Sequence, residues 1–296
     1  MAGYRGKYQR PTRRRPFLWL GIGCGLLALL CGIFVGNFLL TSLRDRQERS
    51  QAIAQYVVQS TAPLETTAPS QPTAPSQTEL PQQTVPETTQ PTTQPTEPPP
   101  KPRFPLIDFE GMWEKNPDVV AWLHIPALEV VHYPVVQGGD NAHYVNHSWD
   151  GKERESGAIF LDFRNQGDFS QVHNILYGHC MKDGTMFQSL GKWERDSFYD
   201  TKDRTVLLYL PEETRVYEIF AVERVNALNS RVYKTDYEGD DAWLAALEET
   251  LRCSQKRTAP ALSADAEMLT LSTCIGDMDR LVVHALCLEH VPVGAS

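Results

Sequence analysis

The sequence predicts a mostly β fold, an antiparallel barrel with added helices, behind a single transmembrane helix and a Pro/Thr-rich disordered stalk. Three observations carry this prediction. An uncharged run of 24 residues follows a basic N-terminus. A proline-rich stretch without aromatic residues comes next. Beyond it, short runs rich in Val, Ile, Leu, Phe and Tyr recur between turn residues, and helical patterns are few.

Residues 1–16 hold six Lys/Arg and no acid, and residues 17–40 hold no charge. Crossing a bilayer takes about 20 apolar residues. A cleavable leader has an apolar core of about 7–15 residues, closed by small residues. Here the run is longer, and Leu39, Leu40 and Leu43 crowd its end. An uncleaved signal anchor is therefore expected over 17–40. Basic residues gather on the cytoplasmic side, which places 1–16 inside and the rest outside. Arg44, Arg46 and Arg49 weaken that bias without reversing it. Past residue 16, 22 Lys/Arg face 37 Asp/Glu, a net of −15. Nucleic acid demands clustered positive charge, so it is excluded as a partner.

Residues 59–103 contain 12 of the 21 prolines, with recurring units such as TAPSQ and TTQPT. Such composition builds no packed core. At about 3.1 Å per residue, a chain of this length reaches on the order of 140 Å. The expected organisation is a basic terminus (1–16), a span (17–40), a juxtamembrane segment and linker (41–103), and a catalytic domain (104–296).

Within 104–296 the elements follow in order. FPLIDFEGMWEKN (104–116) reads as a leading helix. Strand patterns fall at 130–137, 157–163, 173–179, 205–210, 215–225, 267–274 and 280–288. MFQSLGKW (186–193) reads as a short helix with Thr185 as its N-cap. DAWLAALEETLRC (241–253) sets Trp243, Leu244, Leu247 and Leu251 on one helical face. Nothing resembles alternating βαβ units or a Gly-rich phosphate loop.

Two strand ends carry chemistry. TLSTC closes one at Cys274, and YGH closes another at His179. A thiol nucleophile needs a base within reach and a group to hold the developing oxyanion. Arg280 opens the next strand with a charge that cannot be lost. Alone, a buried Cys is more often a small core residue, a strand His is more often structural, and Arg280 would be a surface charge. Cys180, next to His179, faces away if the strand alternation continues. Cys253, Cys287 and His284 read as structural. The four cysteines outside the span permit two disulfides or a reactive thiol. A zinc site from His179, Cys180 and Cys274 lacks any CxxC support, so no metal and no cofactor are expected.

Longer words make the pattern specific. NPDVVAWLHIP (116–126), YPVVQ (133–137) with DN (140–141), SGAIFLD (156–162), LYGHCMKDGTMF (176–187), TLSTC (270–274) and RLVVHA (280–285) resemble, in order, the strands of class B sortases. The resemblance covers about 104–290. The leading helix and the 241–253 helix favour class B over other classes. Two departures stand out: Cys180 occupies a position that is often Asn, and the stretch from Cys274 to Arg280 is short.

The resemblance implies a two-step transpeptidation: Cys274 as nucleophile, His179 as proton donor and acceptor, and Arg280 holding the oxyanion or substrate. It implies cleavage of a C-terminal sorting signal after Thr, a thioester acyl-enzyme, and transfer to an amine. Partners would be surface proteins bearing the signal, and a peptidoglycan precursor or pilin amine, in a Gram-positive-type envelope. The rival classes are an exported β-barrel cysteine endopeptidase and a non-catalytic wall-binding domain. With ordinary pKa values, roughly 3% thiolate and 24% imidazolium coexist at pH 7, so independent titration leaves under about 1% of molecules with both.

Overall fold

The computed structural model describes residues 16–58, 103–275 and 278–295. Most of the expected basic terminus (1–15) and of the expected stalk (59–102) lies outside the described residues, as do the side chains of 16–25, Phe38, Cys274 and Ile275.

Helix α1 (Pro16–Tyr56) runs unbroken for 41 residues. Its apolar first half is long enough to cross a membrane by length and composition, and Leu26, Leu30 and Phe34 are exposed there. Its second half docks on the barrel, where Ala52 and Tyr56 are buried in a cluster with Met112, Trp122 and Tyr144. The two-residue strand β1 (Val57–Val58) then pairs antiparallel with β2 (Leu106–Ile107), Val57 opposite Ile107. The chain therefore leaves the domain and rejoins it at one place. The expected stalk between these two points lies outside the described residues.

The leading helix is short: α2 (Phe109–Trp113), capped by Asp108, whose carboxylate accepts from the Gly111 N–H at 2.9 Å. Then come β3 (Val119–His124), β4 (His132–Val136), β5 (Ile159–Leu161), β6 (His173–Tyr177), α3 (Asp196–Tyr199), β7 (Thr205–Tyr209), β8 (Glu213–Asn226), α4 (Asp240–Cys253), β9 (Lys256–Arg257), β10 (Met268–Ile275) and β11 (Asp279–Pro292). The sheet order is β11-β10-β6-β5-β4-β3-β7-β8-β9, and β11 also pairs with β8. That pairing closes an eight-stranded barrel. Closure removes the open edges that invite aggregation. Neighbours are antiparallel except β4–β5 and β6–β10.

Alternation fills the interior. Leu123, Val135, Leu161, Leu176, Leu208, Ile219, Leu271 and Val283 belong to one buried cluster. The predicted 186–193 helix is a 3₁₀ segment (Phe187–Glu194), and its Thr185 cap does not form. Thr185 donates its N–H and hydroxyl to Asp183 instead. On α4, Trp243 and Leu247 face the barrel as expected, but Cys253 is exposed at the helix end rather than packed.

A polar seam crosses one wall of the barrel. His173 hydrogen-bonds Thr270 at 2.7 Å and the Lys234 carbonyl at 2.7 Å, and Thr270 meets His284 at 2.9 Å. His284 reaches the carboxylate of Glu223, which also pairs with Arg231. His284 is structural, as expected. Burial, reinforced by His284, pushes the His173 imidazole down to about 3. The folded state therefore binds fewer protons there than the unfolded chain below pH 6.5. Stability must fall as pH drops through 6.5 toward 3, by about 2 kcal/mol per such site between pH 7.5 and 5. Urea denaturation in detergent at pH 7.5 and 5.0 checks this: His173→Gln should shrink the difference by about that amount. Equal losses in both proteins would refute the account. His132, also pushed to about 3 by burial, His124 and Arg49, is common to both.

Candidate active site

Three adjacent strand ends meet on one rim. Cys274 lies directly opposite Arg280 in the β10–β11 ladder. Ser272 lies beside Tyr177 in the parallel β10–β6 pair, and the Gly178 N–H donates to the Ser272 carbonyl at 3.2 Å. Residues directly paired across a sheet stand about 5 Å apart. The β10–β11 ladder thus pairs Cys274 with Arg280, and His179 shares a cleft with Arg280 and Thr273. The side chain of Cys274 lies outside the described residues, so its distances do not enter.

His179 lies just past the end of β6. Its ring is held by a carbonyl: His179 Nε2 meets Val145 O at 2.6 Å. A carbonyl only accepts, so Nε2 carries a proton in either charge state. Nδ1 is left as the nitrogen that can exchange a proton. Val145 ends a 3₁₀ turn (His143–Val145), and Gly157 lies against it. The His179 carbonyl accepts from the Phe187 N–H at 2.9 Å, which ties the loop 180–186 into a closed turn bridged by Cys180 and Met186. Cys180 is exposed. The alternation argument for Cys180 fails because β6 stops at Tyr177, two residues before the histidine.

A cleft of about 410 Å³ opens here, lined by Val145, Tyr177, His179, Thr273 and Arg280 among others. The Arg280 guanidinium donates to the Asp279 carbonyl at 3.0 Å. Behind the cleft, the buried carboxylate of Asp162 accepts from Arg164 at 2.6 Å, Tyr177 at 2.9 Å and Asn141 at 3.1 Å. Burial raises the Asp162 pKa, but the Arg164 guanidinium and the other donors outweigh it and hold the carboxyl below its ordinary value. Burial and the nearby Asp162 charge push the Tyr177 hydroxyl up, so it stays a donor. Arg164 also donates to the Tyr233 carbonyl, and the Tyr233 hydroxyl meets Ser272 Oγ at 3.0 Å. This network fixes the cleft wall. Sequence reading passed over Val145, whose contribution is a backbone atom. It also passed over Asp162, whose burial at the end of β5 marks it only once the strand is placed.

The other described thiols differ. Burial, with Glu267 adding to it, pushes Cys287 up to about 11, which disfavours a thiolate. Cys287, Glu267 and His290 bring ligand atoms within 4.8 Å of one another, far along β11 from the cleft. Arg215 donates to Glu267 there at 2.9 Å, which makes the group an ion-pair cluster first.

The described fold agrees with known proteins. The sortase domain model matches residues 123–287. Sortase B of Staphylococcus aureus is 31% identical over 166 residues, covering 56% of this chain and 67% of that protein. Sortase B of Listeria monocytogenes is 30% identical over 164 residues, covering 55% and 65%. The chain thus matches about two thirds of each relative's length. The crystal structure of B. anthracis sortase B in complex with AAEK1 superposes with a TM-score of 0.57 at 31% identity, covering 61% of this chain and 84% of that one. The matched residues 123–287 run from β3 into β11, and the chain belongs to the sortase family of cysteine transpeptidases as a class B member.

Proposed function

We propose that this sortase cleaves a C-terminal sorting signal after a threonine and passes the new carboxyl end to an amine of peptidoglycan or of another protein. The observation that supports the reading is that His179 and Arg280 line one cleft with Thr273, while Cys274 pairs with Arg280 across β10 and β11. The Cys274 thiolate attacks the threonine carbonyl carbon. Arg280 faces the oxyanion, where a fixed charge in a water-poor site is worth most. As the C–N bond breaks, His179 gives a proton from Nδ1 to the departing amine, leaving a thioester. An acceptor amine then attacks the thioester and yields its proton to His179. The new amide forms, and the thiolate is restored.

The apolar half of α1 anchors the chain as a single span, with residues 1–16 inside and the barrel outside the membrane. Exposed Val145 and Leu228, the latter beside the cleft residue Ala227, offer apolar surface to an extended peptide.

The test uses full-length protein in detergent with a sorting-peptide library and an amine acceptor, read by mass spectrometry. The expected product is an amide between the peptide's threonine and the acceptor. Hydrolysis alone, indifferent to the amine, makes the chain an endopeptidase. Absence of any thiol-dependent adduct makes it a wall-binding domain. Either result overturns the reading.

A further inference from the structure

The docked half of α1 carries a stripe at helical spacing: Ser42, Asp45, Arg46, Arg49, Ala52, Ile53 and Tyr56. Its lower part is apolar and buries against the barrel. Its upper part is polar, and its contacts converge on the two backbone segments that hold His179.

The first segment is 143–158. Asp45 Oδ1 accepts from Arg154 Nη1 at 2.8 Å, and Glu48 Oε1 accepts from Arg154 Nη2 at 2.5 Å. Arg154 and Asp45 side chains are only 17% and 8% exposed, so at least this pair is shielded from solvent. The Arg154 N–H donates to the Asn146 carbonyl at 2.8 Å, the residue after Val145. The Arg154 carbonyl accepts from Gly157, against which Val145 packs. A grip on Arg154 is thus a grip on the carbonyl that orients the His179 ring.

The second segment is 180–186. Ser42 Oγ donates to Asp183 Oδ2 at 2.7 Å, and Arg46 Nη2 donates to the Asp183 carbonyl at 3.2 Å. Asp183 Oδ1 in turn accepts from Thr185 twice. Arg49 adds a hydrogen bond to the Val130 carbonyl at 2.8 Å and sits 5.9 Å from the Tyr133 ring. The Tyr133 hydroxyl accepts from the Met186 N–H at 3.1 Å. Met186, at φ 53°, closes the turn back toward His179.

We propose that this half of α1 is a positioning element for His179. Ser42, Asp45, Arg46 and Glu48 act through Asp183 and Arg154 on both shoulders of the histidine. The proposal rests on the catalytic reading of His179. It gives the juxtamembrane residues a role in the reaction, beyond attachment. Ser42 lies two residues past the expected apolar run, so the segment that anchors the protein also sets the geometry of its acid/base group.

The test assays full-length protein in detergent with the peptide and amine selected above. Asp45→Asn/Glu48→Gln and, separately, Ser42→Ala/Arg46→Gln are compared with wild type. Misplacing a reacting group by about 1 Å costs up to about a hundredfold, so each pair should lower kcat about tenfold with KM within about twofold. Arg154→Lys, which keeps one ion pair, should fall between wild type and Arg154→Met. Unchanged kcat in both pairs overturns the proposal. So does a loss of activity that only tracks loss of folded protein in thermal melts. Arg46 is exposed, so the second pair decides the matter even where the first fails to fold. His179→Ala runs alongside. Full activity there sinks the assignment of His179 itself. An inactive His179→Ala with unaffected α1 variants sinks the positioning role alone.

Discussion

Replacing Cys274 with Ala is expected to lower acyl transfer by at least about a thousandfold while leaving the barrel folded. Loss of the nucleophile removes the covalent step, and binding through the cleft does not replace it. Folding survives because β10 is held by its ladders to β6 and β11, which are backbone bonds indifferent to that side chain. Mass spectrometry after incubation with a sorting peptide reads the site directly. Trypsin releases the thiol at 274 within residues 258–280 and Cys180 within residues 165–182. The peptide adduct should sit on the first fragment, and an adduct on the second, or surviving turnover in Cys274→Ala, refutes the assignment. The wild-type pH profile follows from the same chemistry. The competent form needs thiolate and imidazolium together. Acid removes the thiolate and base removes the imidazolium, so kcat/KM should fall on both sides of a maximum. Because Nε2 of His179 is committed to the Val145 carbonyl, the proton exchanged is the one on Nδ1.

Most of the barrel was legible because burial writes a two-residue period into β-strands. The runs at 205–210 and 215–225 became β7 and β8 almost unchanged. The rim was legible through words such as LYGHC and TLSTC, since the side chains proposed to react sit within them. Three features left no such trace. The Val145 carbonyl belongs to the backbone, and any residue supplies one. The β1–β2 pair is two residues long, and its halves stand on either side of the proline-rich stretch, so no local pattern links them. The stripe on α1 continues an apolar span as a polar face, so hydropathy marks its start as the end of the helix. Its 3.6-residue spacing from Ser42 to Tyr56 was the available signal. Composition shows that a segment builds no core, but not where its ends are fastened.

Gly157 is where backbone sterics and the proposed chemistry meet, and Gly157→Ala is expected to damage both. The residue sits at φ 59°, in the left-handed region. A Cβ there costs about 1–2 kcal/mol by itself. That atom would also lie 2.5 Å from the Val145 carbonyl oxygen and 2.6 Å from the Tyr144 carbonyl oxygen. Both obstacles are backbone, so no rotamer change relieves them. Overpacking of this kind adds about 1–3 kcal/mol. A total loss near 3 kcal/mol is therefore expected, read as a lower urea midpoint at pH 7.5. The chain can relax by moving the Tyr144–Val145 turn, because Phe160, three residues past Gly157, is fixed in β5 by its pairing with Tyr177 of β6. That movement carries away the acceptor of His179 Nε2, so the imidazole loses the bond that aims it. Activity per folded molecule should then fall about ten- to a hundredfold. A Gly157→Ala protein that is less stable yet fully active per folded molecule would show that Val145 does not position the histidine. One with unchanged stability would show that the turn gives way without cost.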